Sequence, residues 1–152
     1  MRSGTSARRH RTATLRGLTA PGGTGDDAGE EMAVATIERV STHVLDTAAG
    51  VPAAGVPAVL CRDGADPTDH TEHAVLGRGT TDADGRIAAL NDGPLVAGDY
   101  RVTLDVADHM RRTHGALFHP TITVHVRLDG ARPHYHLPVL ASPYSYTTYL
   151  GS

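Results

Sequence analysis

The sequence has no tryptophan, one phenylalanine and one cysteine in 152 residues. With so few large rings, a core has to be assembled from Val, Leu, Ile and Ala, which favours a thin sandwich or an assembly that buries surface between subunits. A lone Cys61 excludes an internal disulfide and a thiolate zinc cluster. Its expected place is that of a small buried apolar side chain. No apolar run reaches the roughly 20 residues that cross a bilayer as a helix. Fourteen Lys and Arg against 17 Asp and Glu give a net charge of −3, so no basic field points to nucleic acid. A Gly-rich phosphate loop, a Gly-x-Ser-x-Gly elbow and a His-Glu-x-x-His helix are all missing.

Histidine is abundant instead, at ten residues. Such a surplus suits an acid/base site working near neutral pH, a metal site, or plain surface use.

Composition divides the chain. Residues 1–32 read as a disordered extension or as sequence upstream of a true start at Met32. Their Arg2, Arg8, Arg9, Arg11 and Arg16, with no acid before Asp26, are also the composition of an organelle transit peptide, and the apolar core of a secretory signal is missing. Residues 33–152 read as one domain.

That domain is punctuated like an all-β protein. Strands are expected at Thr36 to Leu45, Val56 to Arg62, Glu72 to Thr80, Arg86 to Leu90, Asp99 to Val106, Thr121 to Leu128, His134 to Leu140 and Tyr144 to Tyr149. Pro52 to Gly55, Asp63 to Pro67 and Asp82 to Gly85 read as turns, with Gly85 free to take positive φ. Tyr100, Val102, Leu104 and Val106 alternate onto one face, as do Ile122, Val124, Val126 and Leu128. Asp108 to His114 reads as a short helix with Asp108 as its N-cap. Eight strands and one helix suggest a two-sheet sandwich.

The stretch from Pro133 to Ser152 is unlike an ordinary frayed tail. It carries His134-Tyr135-His136, an apolar strand, a Pro-Tyr turn and Tyr135, Tyr144, Tyr146 and Tyr149, four of the five tyrosines. It is expected to be packed, with the terminal carboxylate inside a site. His134 and His136 fall on one face of their strand and Tyr135 on the other. His-x-His is also half of a common zinc site, with His43 or His125 available as a third ligand.

Four segments together resemble the transthyretin-related 5-hydroxyisourate hydrolase family: Ser41-Thr42-His43-Val44-Leu45-Asp46 with the turn to Val56, Thr80-Thr81-Asp82-Ala83-Asp84-Gly85-Arg86, Gly98 to Asp105, and His134-Tyr135-His136-Leu137-Pro138 through Ser142-Pro143-Tyr144-Ser145-Tyr146-Thr147-Thr148-Tyr149. The likeness spans Thr36 to Ser152. It implies a transthyretin-like (prealbumin-like) sandwich of two four-stranded sheets with one short helix, assembled as a homotetrameric dimer of dimers with sites at the dimer–dimer interface. It implies metal- and cofactor-independent hydrolysis of 5-hydroxyisourate to 2-oxo-4-hydroxy-4-carboxy-5-ureidoimidazoline in urate degradation. The family's catalytic trio falls on His43, Arg86 and His136, and its substrate-binding tail on Tyr149, Gly151 and Ser152. A cytoplasmic enzyme is expected, with a small-molecule substrate and neither nucleic acid nor membrane as partner.

The tail departs from the family at one position: Tyr149-Leu150-Gly151-Ser152 stands where the family has Tyr-Arg-Gly-Ser. Leu117-Phe118-His119-Pro120 also stands where aromatic pairs before Pro are usual. A catalytically weakened paralogue, a transthyretin-like small-molecule carrier and a His-x-His zinc hydrolase are the rival readings. In the main reading, His43 and His136 divide water activation and proton delivery while Arg86 holds the planar ring.

Overall fold

The computed structural model describes residues 35–64 and 73–152, without the side chain of His73. The expectations for residues 1–32, Asp66, Pro67 and Glu72 lie outside the described residues. The elements run β1 (Arg39–Asp46), β2 (Val51–Pro52), β3 (Pro57–Asp63), β4 (His73–Thr80), β5 (Arg86–Ile87), β6 (Gly98–Asp105), α1 (Ala107–His114), β7 (Thr121–Leu128), β8 (His134–Ala141) and β9 (Tyr146–Thr148). One sheet has the order β2-β1-β8-β9 with β5 also paired to β1, and the other the order β4-β3-β6-β7. This is the all-β, transthyretin-like sandwich that the sequence implies.

Alternation builds the core. Val40 and Val44 of β1, Ala58 and Leu60 of β3, Tyr100, Val102 and Leu104 of β6, Ile122 and Val124 of β7, and Tyr135, Leu137 and Val139 of β8 are all buried. Every second residue of each strand thus faces the opposite sheet. Each fully buried Val or Leu side chain contributes on the order of 1.5–3 kcal/mol relative to exposure. Aliphatic residues do most of this work, as the lack of Trp and Phe requires.

Several boundaries differ from expectation. The first sheet has five strands because Val51 and Pro52 pair with Asp46 and Leu45, where Pro52 reads from the sequence as the start of a turn. β5 stops at Ile87 rather than Leu90. Leu90 instead donates its N–H to the Val40 carbonyl at 2.8 Å and is buried. Asp108 is not the N-cap: Val106 holds that position without a side-chain hydrogen bond. Val106 completes the apolar face of β6 and is buried, so the chain turns into the helix two residues early. The Asp105 carboxylate accepts from the Ala107 N–H at 3.1 Å. Cys61 is half-buried rather than buried, because Ala58 and Leu60 take the inward positions of β3.

β1 and β8 run parallel over eight residues, with Ser41 beside His136 and Arg39 beside His134. Two segments far apart in the chain thereby share one face.

Candidate active site

β1 and β8 turn their apolar residues inward, so Ser41, His43, His134 and His136 are left on the outward face of the sheet. Thr42, on the inward side, donates its hydroxyl to the Leu137 carbonyl at 2.7 Å, which ties the two strands together beneath that face.

Arg86 arrives by a tight turn. Asp82 Oδ1 accepts from the N–H groups of Asp84 at 2.9 Å and Arg86 at 2.8 Å. The Asp82 N–H donates to the Arg86 carbonyl at 2.9 Å, and the Val44 N–H donates to the Gly85 carbonyl at 2.8 Å. Gly85 has φ of 71°, and a Cβ there would lie 2.4 Å from the Val44 carbonyl oxygen. Only glycine meets both conditions. β5 then pairs antiparallel with β1, so that Arg86 is directly opposite His43 while Ile87 is opposite Thr42. Ile87 enters the core, which leaves Arg86 on the outward face.

Arg86 and His136 line a cleft of about 440 Å³ together with Arg39, Ser41, His134 and Ser152. A line of hydrogen bonds crosses its floor. Arg39 Nη2 lies 3.2 Å from His134 Nδ1, His134 Nε2 lies 2.7 Å from Ser41 Oγ, and Ser41 Oγ lies 2.7 Å from His136 Nδ1. Ser41 itself is buried. Burial, and then the nearby Arg39 charge, push the His134 pKa below its ordinary value. Burial lowers that of His136 as well, with Arg86, His134 and His43 adding to it. The neutral form of both imidazoles is thereby favoured.

The tail approaches the same cleft. The Gly151 N–H donates to the His136 carbonyl at 2.9 Å, and a Cβ at Gly151 would lie 2.7 Å from His136 Cδ2. Gly151 thus packs close against the histidine ring, and Ser152 after it lines the cleft. Neither Tyr149 nor His43 is among the residues that line the cleft; His43 stands beside it, paired with Arg86. With Leu150, Tyr149 lines a separate, mainly apolar groove of about 330 Å³ beside Val124, Leu128 and Leu137. His136 borders both hollows.

Among the described residues no cluster of three or more His, Cys, Asp or Glu is placed to hold a metal ion. His125, the alternative third zinc ligand, is on β7 of the other sheet and pairs with Asp63. Ser41 Oγ occupies the space between the nearest nitrogens of His134 and His136.

Ser41, Arg39 and the role of His134 as a partner of His136 escape a reading of the sequence alone. The signal is present in part, since alternation puts Ser41 on the face of His43. What the sequence lacks is the parallel register of β1 on β8. Asp46 escapes it too. Its Oδ2 accepts from His109 Nε2 at 2.8 Å and His114 Nε2 at 2.7 Å. Its Oδ1 accepts from the Ala48 and Ala49 N–H groups at 3.1 and 3.0 Å. Burial works to raise the carboxyl pKa, but these donors outweigh it and hold it below the ordinary value. This cluster pins the helix to the end of β1, away from the cleft.

Residues 40–151 match the model of the HIUase/Transthyretin family. A curated 5-hydroxyisourate hydrolase from Deinococcus radiodurans is 39% identical over 118 residues, covering 74% of this chain and 95% of its own length. The solved 5-hydroxyisourate hydrolase of Klebsiella pneumoniae superposes with a TM-score of 0.64 at 32% identity, over 76% of this chain and 99% of that one. The transthyretin of Sparus aurata superposes with a TM-score of 0.65 at 29% identity, over 74% and 96%.

Proposed function

The chain belongs to the HIUase/transthyretin family, and on that footing we propose that the cleft at Arg86 and His136 is where it hydrolyses 5-hydroxyisourate. It is an enzyme of urate degradation, a 5-hydroxyisourate hydrolase, as its curated relatives are named. The observation that carries the site assignment is the convergence of Arg86, His136 and Ser152 on one cleft, with His43 opposite Arg86 across a strand pair.

The chemistry follows from the product, which carries a carboxylate and a ureido group where the substrate has a closed ring. An acyl carbon–nitrogen bond is broken by water. The Arg86 guanidinium is a planar fork of donors suited to the substrate's carbonyl oxygens. A neutral imidazole is a base matched to deprotonating water near pH 7. His43 and His136 supply the acid–base and donor groups, and no step requires a metal or organic cofactor. Gly151 and Ser152 close the cleft around the substrate; Tyr149 acts from the neighbouring groove. The domain is residues 33–152, and it works in the cytoplasm as a homotetramer, a dimer of dimers that brings these outward faces together. Among the described residues no helix is long and apolar enough to cross a membrane.

The likeness to a transthyretin supports one alternative, a small-molecule carrier that binds without turnover. A single assay separates the two. Freshly generated 5-hydroxyisourate is followed by its ultraviolet decay with the full chain, with and without chelator. Decay well above the spontaneous rate and indifferent to chelator is expected. No acceleration would leave the carrier or the weakened paralogue, and loss with chelator would restore the zinc reading.

A further inference from the structure

Resting on that functional reading, we infer that Arg39, His134 and Ser41 fix the tautomer of His136, so that His136 serves as a neutral hydrogen-bond donor and His43 is the general base. Donors and acceptors along the cleft floor decide it. A guanidinium has only N–H donors, so Arg39 Nη2 at 3.2 Å requires a lone pair on His134 Nδ1. A neutral His134 must then carry its proton on Nε2, which donates to Ser41 Oγ at 2.7 Å. The Ser41 hydroxyl has one proton, and the other imidazole within reach is His136, whose Nδ1 accepts it at 2.7 Å. With Nδ1 accepting, neutral His136 bears its proton on Nε2. Neutrality of both rings agrees with the downward push on each pKa from burial and from the cations around them.

An imidazole held in that tautomer cannot take a proton from water through Nε2. It presents an N–H, placed with Arg86 to receive the charge that develops on the attacked carbonyl oxygen. His43 remains as the base. It takes one proton from water as the oxygen–carbon bond forms. It returns that proton to the ring nitrogen as the carbon–nitrogen bond breaks, so the imidazole ends neutral and one water has been added. Arg39, His134 and Ser41 are positioning residues: they act on the substrate's chemistry by deciding which nitrogen of His136 carries hydrogen.

The test reads the tautomer directly. Nitrogen-15 NMR of the full chain, labelled at histidine, distinguishes protonated from bare ring nitrogens, and the His136 signals are those lost in His136→Asn. The expected result is a bare Nδ1 and a protonated Nε2 in the substrate-free protein. Ser41→Ala should then populate both tautomers and lower kcat by at least about tenfold with a smaller change in KM, and Ser41→Thr, which keeps the hydroxyl, should restore both. A protonated Nδ1 on His136 in a protein that hydrolyses 5-hydroxyisourate would overturn the role assignment alone. Unchanged kcat and tautomer in Ser41→Ala would overturn it too. Absence of hydrolysis by the wild-type protein would instead remove the functional reading and the roles with it.

Discussion

Arg86 stands directly opposite His43 in the β1–β5 pair, and Gly85 is what permits it. In Gly85→Ala the new Cβ would meet the Val44 carbonyl oxygen at 2.4 Å on a backbone with φ of 71°. The turn has to open. The expected cost is more than about 1 kcal/mol of stability, with a larger proportional loss of activity because Arg86 moves off His43. Urea unfolding and the decay assay on one preparation check this; an Ala variant equal to the parent in both would show that the turn does not place Arg86.

A second glycine touches the chemistry from the tail. Gly151→Ala puts a Cβ 2.7 Å from His136 Cδ2 and 3.1 Å from Pro138 Cγ, so the ring must rotate or the tail must lift. Turnover should fall while the thermal midpoint stays close to the parent's, since the substitution disturbs one ring rather than the core. A collapse of the midpoint with activity per folded molecule retained would count against Gly151 as a gauge of ring position.

Direct substitutions separate the roles of His43, Arg86 and His136. His43→Asn and His136→Asn should each lower kcat by roughly 10²-fold or more. Arg86→Lys keeps the charge but loses the fork and should raise KM as well as lower kcat. Steady-state kinetics decide. An unchanged rate for any one of the three removes that residue from the mechanism.

Acid should destabilise the protein in two steps. His134 and His136 have ring pKa values below the ordinary 6.5, so the unfolded chain takes up their protons first. Their contribution is complete above about pH 6.5 and is lost as the pH falls through the folded values. The Asp46 carboxyl is held below its ordinary 3.8; its contribution is present above that value and disappears as the pH drops further. Calorimetry from pH 8 to 3 should give a midpoint that is flat above 7, slopes down below 6.5, and falls again below 4. A midpoint that rises on acidification from pH 7 to 5 would contradict the assignment of neutral imidazoles.

Leu150 tests the weakened-paralogue reading. It is exposed and lines the groove with Tyr149 rather than the cleft. Leu150→Arg should therefore change stability by no more than about 0.5 kcal/mol and leave turnover near the parent's. A large rise in kcat/KM would identify Leu150 as the lesion of a weakened enzyme.

Much of the fold is legible in the sequence, and the reason is periodicity. Tyr100, Val102 and Leu104 announce β6, and the Asp82 to Gly85 turn announces where Arg86 begins. His43, Arg86 and His136 are reached through a resemblance, because no local pattern brings them together. Tyr149 and Ser152, close neighbours in the tail, part company in space: one lines the groove and the other the cleft. Pro52 reads as the start of a turn because the two-residue strand Val51–Pro52 is too short to alternate. The partners of His136 are hidden for a plainer reason. Ser41 is 95 residues away, and a strand's pattern says which face a residue takes but not which strand comes alongside.

The parallel seam between β1 and β8 also sets the order in which the protein can become active. β1 is made before β8 and has its antiparallel neighbours at hand, but its partner along the catalytic face is made more than ninety residues later. Until β8 emerges, Ser41 and His43 sit on a strand edge that waits for its match. Closing so long a loop is a slow step in folding. A chain cut anywhere before His134 thus lacks one side of the seam and, with it, the face that carries His136.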